Sequence, residues 1–305
     1  MIREPDAIAH LDGSEVALWW RQVPPWRGRK TGYLGRLSFR TVAEGVALLR
    51  AAEERLRAEW CEAAIAPIDG STWQPYRAVI DPGTAPSFAL EPITPPHHPA
   101  ALAQGGFMPC LTYRSALCDV VTRRDPPADV WRDRFTQNGI TINALDCDRL
   151  SDRLPPIHHL IHAAFAETPL FTPLPYPDFE QQYHALLPYL RPDLIRVALD
   201  QGRVVGLVWA FPDWCDRTGN TVVLKTVARW PGWAYGGLGR VLVADCHRVA
   251  AQLGYGRIIH GLMRDRNPSQ AISRRYAQPH PLRRYALFAK VFDQVQRQDL
   301  SFGSS

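Results

Sequence analysis

Residues 222–254, VVLKTVARWPGWAYGGLGRVLVADCHRVAAQLG, run a β-branched strand into a turn bearing Gly236, Gly237 and Gly239, which opens directly onto an amphipathic helix. Glycine lets successive backbone N–H groups turn toward one point, and a helix N-terminus adds partial positive charge. The chemistry this suits is capture of a phosphate or pyrophosphate. No Lys-Ser or Lys-Thr follows the turn, which disfavours a Walker-type nucleotide site. It also lies late in a series of antiparallel-looking strands, not after the first strand of a βαβ unit, which excludes a dinucleotide fingerprint.

Other reactive side chains carry less. His158 and His162 share a helical face, but no carboxylate or third histidine accompanies them, and no metal is expected. His97 and His98 lie in a proline loop. The six cysteines, Cys61, Cys110, Cys118, Cys147, Cys215 and Cys246, form no CxxC pair and read as free, mostly buried thiols. Asp213 and Asp216 are a water-relay candidate in a loop, where aspartates mostly form turns.

These residues must be positioned by a folded chain. Its 305 residues suggest two domains, and 46% hydrophobic with 21% charged residues excludes wholesale disorder. Net charge is +5, yet Lys30, Lys225 and Lys290 are the only lysines and the arginines gather into no basic helix or arm, so no nucleic-acid partner is expected. Every apolar run is too short to span a bilayer, and acidic residues stand where a secretory signal would be basic and apolar. A cytoplasmic location is the expectation.

The pattern predicts strands over 7–10, 15–20 and 32–39, a helix over 41–60, a return to strand chemistry at 61–68, and a strand after Gly105-Gly106. Residues 122–137, charged and proline-bearing, read as a connection. Beyond it come a strand (139–145), helices (156–166, 178–190) separated by a stiff proline loop, strands (194–200, 204–211, 221–228), a helix (238–253), a strand (257–263), a short helix from Pro268 and a strand (284–288).

The run Ala234-Tyr235-Gly236-Gly237-Leu238-Gly239 resembles the acyl-CoA signature of the GNAT superfamily of N-acyltransferases, R/Q-x-x-G-x-G/A, placed between the fourth strand and third helix. Val227-Ala228 and Pro231 are similar to that family's L-A-V-x-P strand end, and Asn267 stands where it often has an Asn that holds the pantetheine arm. The element order after residue 138 also matches. The resemblance implies an α/β protein of two GNAT-like halves, each a mixed, mostly antiparallel sheet flanked by helices. Residues 1–121 would be a degenerate copy, since SFRTVAEG lacks the signature; 122–137 a linker; and 138–305 the acyl-CoA-binding domain, the chain being an internal pseudo-dimer and a monomer.

It further implies that acyl-CoA lies against Thr226, Val227, Ala228, Ala234, Tyr235, Gly236, Gly237, Leu238, Gly239, Arg240 and Asn267, with Arg264, Arg266 and Arg275 as further phosphate partners. Ala234 replaces the leading Arg/Gln, which removes one side chain and leaves the backbone donors. The family's frequent Glu base maps onto Val223 and its Tyr acid onto Arg274, so the catalytic pair is not given by the motif. His260, at the end of a strand beside the cleft and of near-neutral ordinary pKa, is the candidate base, with Tyr276 and Ser273 as candidate acids. Phe171 and Tyr176 on the proline loop, with Trp209 and Phe211, are candidate acceptor walls. The implied reaction is transfer of an acyl group, acetyl by default, to a primary amine. Alternatives are fatty-acyl transfer to a Lys or ornithine side chain of a peptide, and a non-catalytic CoA-binding module.

Overall fold

The computed structural model describes residues 3–119, 125–146, 149–277 and 281–292; Cys147 and residues 122–124 of the expected connection lie outside them. In chain order the elements are β1 (Ala7–Leu11), β2 (Ser14–Trp19), β3 (Thr31–Ser38), α1 (Val42–Ala58), β4 (Ala63–Ala66), β5 (Ala78–Asp81), α2 (His97–Gln104) and β6 (Met108–Asp119). There follow α3 (Pro126–Gln137), β7 (Ile140–Ala144), α4 (Leu150–Phe165), α5 (Tyr176–Leu186), β8 (Arg196–Asp200), β9 (Arg203–Pro212), β10 (Thr221–Arg229), α6 (Leu238–Gln252), β11 (Arg257–Arg264), α7 (Pro268–Ser273) and β12 (Arg283–Val291).

The chain forms two compact units that interleave along the sequence. Among the described residues, one comprises those within 77–96 and 111–286, the other those within 3–76, 97–110 and 287–292. The sequence division at 121 and 138 is contiguous; the compact units are not. In the smaller unit β1, β2 and β3 are antiparallel neighbours, β3 and β4 are parallel, and β4 pairs with the end of β12, Phe288 opposite Ala66. Helix α1 closes its own N-terminus: Thr41 Oγ1 accepts from Glu44 N at 3.2 Å, and the Glu44 carboxylate accepts from Arg40 N at 2.9 Å. That box spends on the helix's own side chains the donors a glycine turn would leave open.

In the larger unit the strand order is β12-β6-β11-β10-β9-β8-β7, β12 entering with its start, which also pairs with β5, and β10 and β11 are the parallel pair. Helices α4 and α6 pack on β9 and β10. Gly206 of β9 lets α6 approach, since a Cβ there would meet Leu242 at 2.8 Å and Leu238 at 3.0 Å. The core joins Val222 and Leu224 of β10 to Leu238, Val241, Leu242 and Cys246 of α6. Two elements differ from expectation. Residues 126–137 form helix α3, because Pro126 suits a helix start and Phe135 is buried against the α6 core. Helix α4 begins at Leu150, running through Pro155 and Pro156, because Leu150 and Leu154 are buried on its apolar stripe.

Candidate active site

Before α6 the chain makes a 3-10 turn, Trp233–Tyr235, closed by Gly236 N donating to Trp233 O at 2.9 Å. Gly237 then stands at the helix N-cap in the left-handed region, φ +88°, and no side chain caps the helix. Arg240 N and Val241 N both donate to Gly237 O, at 3.0 and 3.2 Å. Among the described residues no acceptor takes the N–H of Gly237, Leu238 or Gly239, although Leu238 and Gly239 are buried. Three consecutive donors at a helix start without protein partners make a cradle for an anion.

Around the cradle lies a charged cluster. Arg240 Nε and Arg275 Nη1 approach the two oxygens of Asp125 at 3.3 and 3.5 Å. The Asp125 side chain is wholly buried, and neither oxygen has a hydrogen-bond partner among the described residues. Trp131 of α3 lies against Gly237, where an added Cβ would come within 2.7 Å of its ring. The Tyr276 hydroxyl is buried without a partner among the described residues, and its pKa is pushed well above the ordinary range, first by burial and then by the Asp125 charge. The structure thus groups Tyr276 with the cations beside the turn. Arg264 Nε is buried without a partner among the described residues, Arg266 is exposed, and Asn267 caps α7 by accepting from Ser269 N at 3.0 Å.

The second feature is a fork. β10 and β11 pair only from Thr221↔Arg257 to Leu224↔His260. Beyond that level β10 bulges between Leu224 and Thr226, leaving Lys225 out of register, while Thr226, Val227 and Ala228 stay paired with Trp209, Val208 and Leu207 of β9. β11 is irregular between His260 and Met263, and Leu262 has φ +55°. Sequence reasoning did not single out Lys225. Its side chain is solvent-accessible, yet dense surroundings push its pKa down to about 8, with desolvation the larger cause and the Arg77 charge the smaller.

The three expected catalytic residues come together, but inside the protein. His260 Nδ1 and Ser273 Oγ are 2.9 Å apart, and His260 Nε2 lies 2.9 Å from His247 Nε2. The His247 ring stacks on Tyr276 at 4.1 Å. His260, Ser273 and Tyr276 are all nearly inaccessible, and burial pushes the His260 pKa down to about 4. His247 was missed; the signal was a histidine on the apolar stripe of α6.

Trp209 and Phe211 are core residues here, 2% and 1% exposed, one against Tyr183 and the other stacked on Trp214. Their strand is buried along almost its whole length, so these rings fill the interior and do not wall an open cleft. Phe171 packs on His162, and Tyr176 donates to Glu180 at 3.0 Å. His158 and His162 hold the proline loop through Leu174, at 2.7 Å to its carbonyl and 2.9 Å from its N–H. Asp213 accepts from Ala89 N and Cys215 N, and Asp216 from Thr218 and Thr221, so both serve loop structure. No group of three or more potential ligands for a metal occurs among the described residues, nor does a helix long and apolar enough to cross a membrane.

No family model matches the sequence, and no curated protein matches it. Solved structures do resemble it. One is a GCN5-related glucosamine N-acetyltransferase region of a fungal multi-domain GH3 β-N-acetylglucosaminidase, at TM-score 0.54 and 16% identity over 91% of this chain and 31% of that one. A second is a GCN5-related N-acetyltransferase from Sphaerobacter thermophilus, at 0.54 and 14% over 91% and 76%. A third, from Anabaena variabilis, gives 0.51 and 7% over 92% and 60%. The chain therefore spans about a third of the fungal protein's length, and identities this low speak to shared architecture alone.

Proposed function

We propose that this chain, which carries the α/β fold of the GCN5-related N-acetyltransferases, is an acyl-CoA-dependent N-acyltransferase acting on a primary amine, with acetyl the default acyl group. The observation that carries the reading is the run of unpartnered amides at Gly237, Leu238 and Gly239, beside Arg240 and Arg275 and in the same unit as the β10–β11 fork.

The residues suit the cofactor. The three amides, with Arg240 and Arg275, would hold the diphosphate, and the arginines would share their charge between the phosphate and Asp125. Thr226, Val227 and Ala228 line the opened edge of β10, where the amide-rich pantetheine arm finds strand hydrogen-bonding groups no longer paired with β11. Asn267 fixes the start of α7. Bound acyl-CoA supplies an acyl group activated as a thioester.

An ammonium has no lone pair, so the acceptor must give up a proton. His260 is neutral at pH 7 but buried, with its ring nitrogens engaged by Ser273 and His247, so it does not meet the acceptor directly and the proton leaves to solvent. Tyr276, buried with its hydroxyl inside the protein, packs against His247. Holding both reactants in one fork supplies several kcal/mol by proximity, roughly the scale a weak base leaves to be found.

The test is calorimetric titration with CoA followed by thiol release from acetyl-CoA and a long-chain acyl-CoA with a panel of amines. Binding and amine-dependent release are expected, and the preferred chain length decides between acetyl and fatty-acyl transfer. Absence of CoA binding overturns the reading. The burial of His260, Ser273 and Tyr276 favours one rival, a non-catalytic CoA-binding module, which predicts binding without release.

A further inference from the structure

Resting on that reading, we infer that the glycine turn carries a built-in competitor for its cofactor: Asp125, at the head of α3, holds part of the charge of Arg240 and Arg275 against the incoming diphosphate and so sets how tightly the cofactor binds. Three segments of one compact unit meet there. Arg240 stands in the first turn of α6, Arg275 follows α7, and Asp125 is the N-cap of α3.

The pairing is close enough for charge and too loose for hydrogen bonding. Arg240 Nε lies 3.3 Å from one Asp125 oxygen and Arg275 Nη1 lies 3.5 Å from the other, whereas charge-assisted N–H···O⁻ bonds run at about 2.7–2.9 Å. Neither oxygen accepts a hydrogen bond among the described residues, although the Asp125 side chain is wholly buried. Two cations share this one carboxylate, so the cluster has positive charge to spare for an anion. A phosphate group can take two parallel donors from a guanidinium, which Asp125 does not, and so draws the arginines in part toward itself. Whatever it draws leaves a buried carboxylate short of counter-charge, and that cost lowers cofactor affinity.

Helix α3 is seated independently of this contact. Its Trp131 ring lies against Gly237, Arg132 Nη1 donates to Asp245 of α6 at 2.8 Å, and Phe135 is buried in the α6 core. Replacing Asp125 therefore removes the competing charge while the helix keeps its place beside the turn.

The experiment titrates the full chain and Asp125→Asn calorimetrically with CoA and with pantetheine, which shares the arm and lacks the phosphates. Asp125→Asn is expected to bind CoA about tenfold more tightly than the parent chain, with no such gain for pantetheine. Equal or weaker CoA binding by a folded Asp125→Asn overturns the inference, and the weaker outcome would make Asp125 a support that positions the arginines. An equal gain for pantetheine also overturns it, because the effect then lies outside the phosphates.

A second measurement needs no variant. On saturating the parent chain with CoA, hydrogen exchange should slow at the amides of residues 237–240 and quicken at those of 128–131, where α3 loses part of its hold on the arginines. Unchanged or slower exchange at 128–131 overturns the competitor, the slower outcome making α3 a clamp on the cofactor, and leaves the cofactor site standing. Failure of CoA to bind the parent chain removes the underlying reading, and the competitor with it.

Discussion

At the scale of single residues, Gly237 and Gly239 serve the turn in different ways. Gly237 sits at φ +88° with Trp131 against it, so Gly237→Ala meets both strain and a clash and should cost about 2 kcal/mol in urea unfolding. A Cβ at Gly239 would see Val227 at 3.6 Å and Ile272 at 3.8 Å. Gly239→Ala should therefore stay within roughly 0.5 kcal/mol of the parent while weakening CoA about tenfold by narrowing the cradle. Unchanged calorimetric affinity in that variant counts against the turn as the diphosphate site. His260 gives a pH signature. Its folded pKa, about 4, lies below the unfolded value of about 6.5, so the unfolded state binds more protons between them. Stability is full above pH 6.5 and is lost as pH falls toward 4, by an amount on the order of a few kcal/mol. His98, also pushed down to about 4 by burial, adds to the slope. His260→Asn should flatten the Tm–pH curve in that window, and an unchanged slope would exclude the assignment. The glycines were legible because they cluster directly before an amphipathic helix, and His260 because its ordinary pKa lies near neutrality. Lys225 was not, since a bulge is decided by how two strands pair, and VVLKTVA reads as an uninterrupted strand.

At the scale of elements, α6 is held by one buried carboxylate. Asp245 accepts from Arg132 of α3 at 2.8 Å, from Arg196 of β8 at 2.7 Å and from Arg248 of its own helix at 2.6 Å, and these partners hold its pKa below the usual range against the effect of burial. Asp245→Ala leaves three cations without that partner and should cost about 3–5 kcal/mol in chemical denaturation, with Asp245→Asn intermediate. A loss below about 1 kcal/mol would show the cluster to be dispensable. The order of strands and helices after residue 138 was readable from periodicity, because each element there buries one face of an amphipathic pattern. Helix α3 was not: charge and two prolines mask it, and its apolar contacts, Trp131 and Phe135, find their partners on an element a hundred residues later. Asp245 and His247 did interrupt the apolar stripe of α6, and a polar side chain in such a stripe signals an internal partner without naming it.

For the whole molecule, the feature hidden from local pattern is the exchange of strands. Strand β6 closes the first half in sequence yet pairs with β11, Asp119 opposite Arg257 through Tyr113 opposite Arg264. Strand β12 closes the second half, and its end pairs with β4. Nothing in either strand's alternation marks which edge it joins, so contiguous halves were the natural reading. Residues 138–305 produced alone should lack the neighbour of β11 and show no cooperative unfolding transition, whereas co-expression with 1–121 should recover it. A Tm equal to that of the full chain for the isolated segment would refute the exchange as a folding requirement. The same pairing sets a schedule for biosynthesis. The smaller unit, though most of it leaves the ribosome first, waits with an unsatisfied β4 edge until the final strand emerges, so a nascent chain stalled before residue 288 carries a sticky edge that a chaperone or a second nascent chain can reach first.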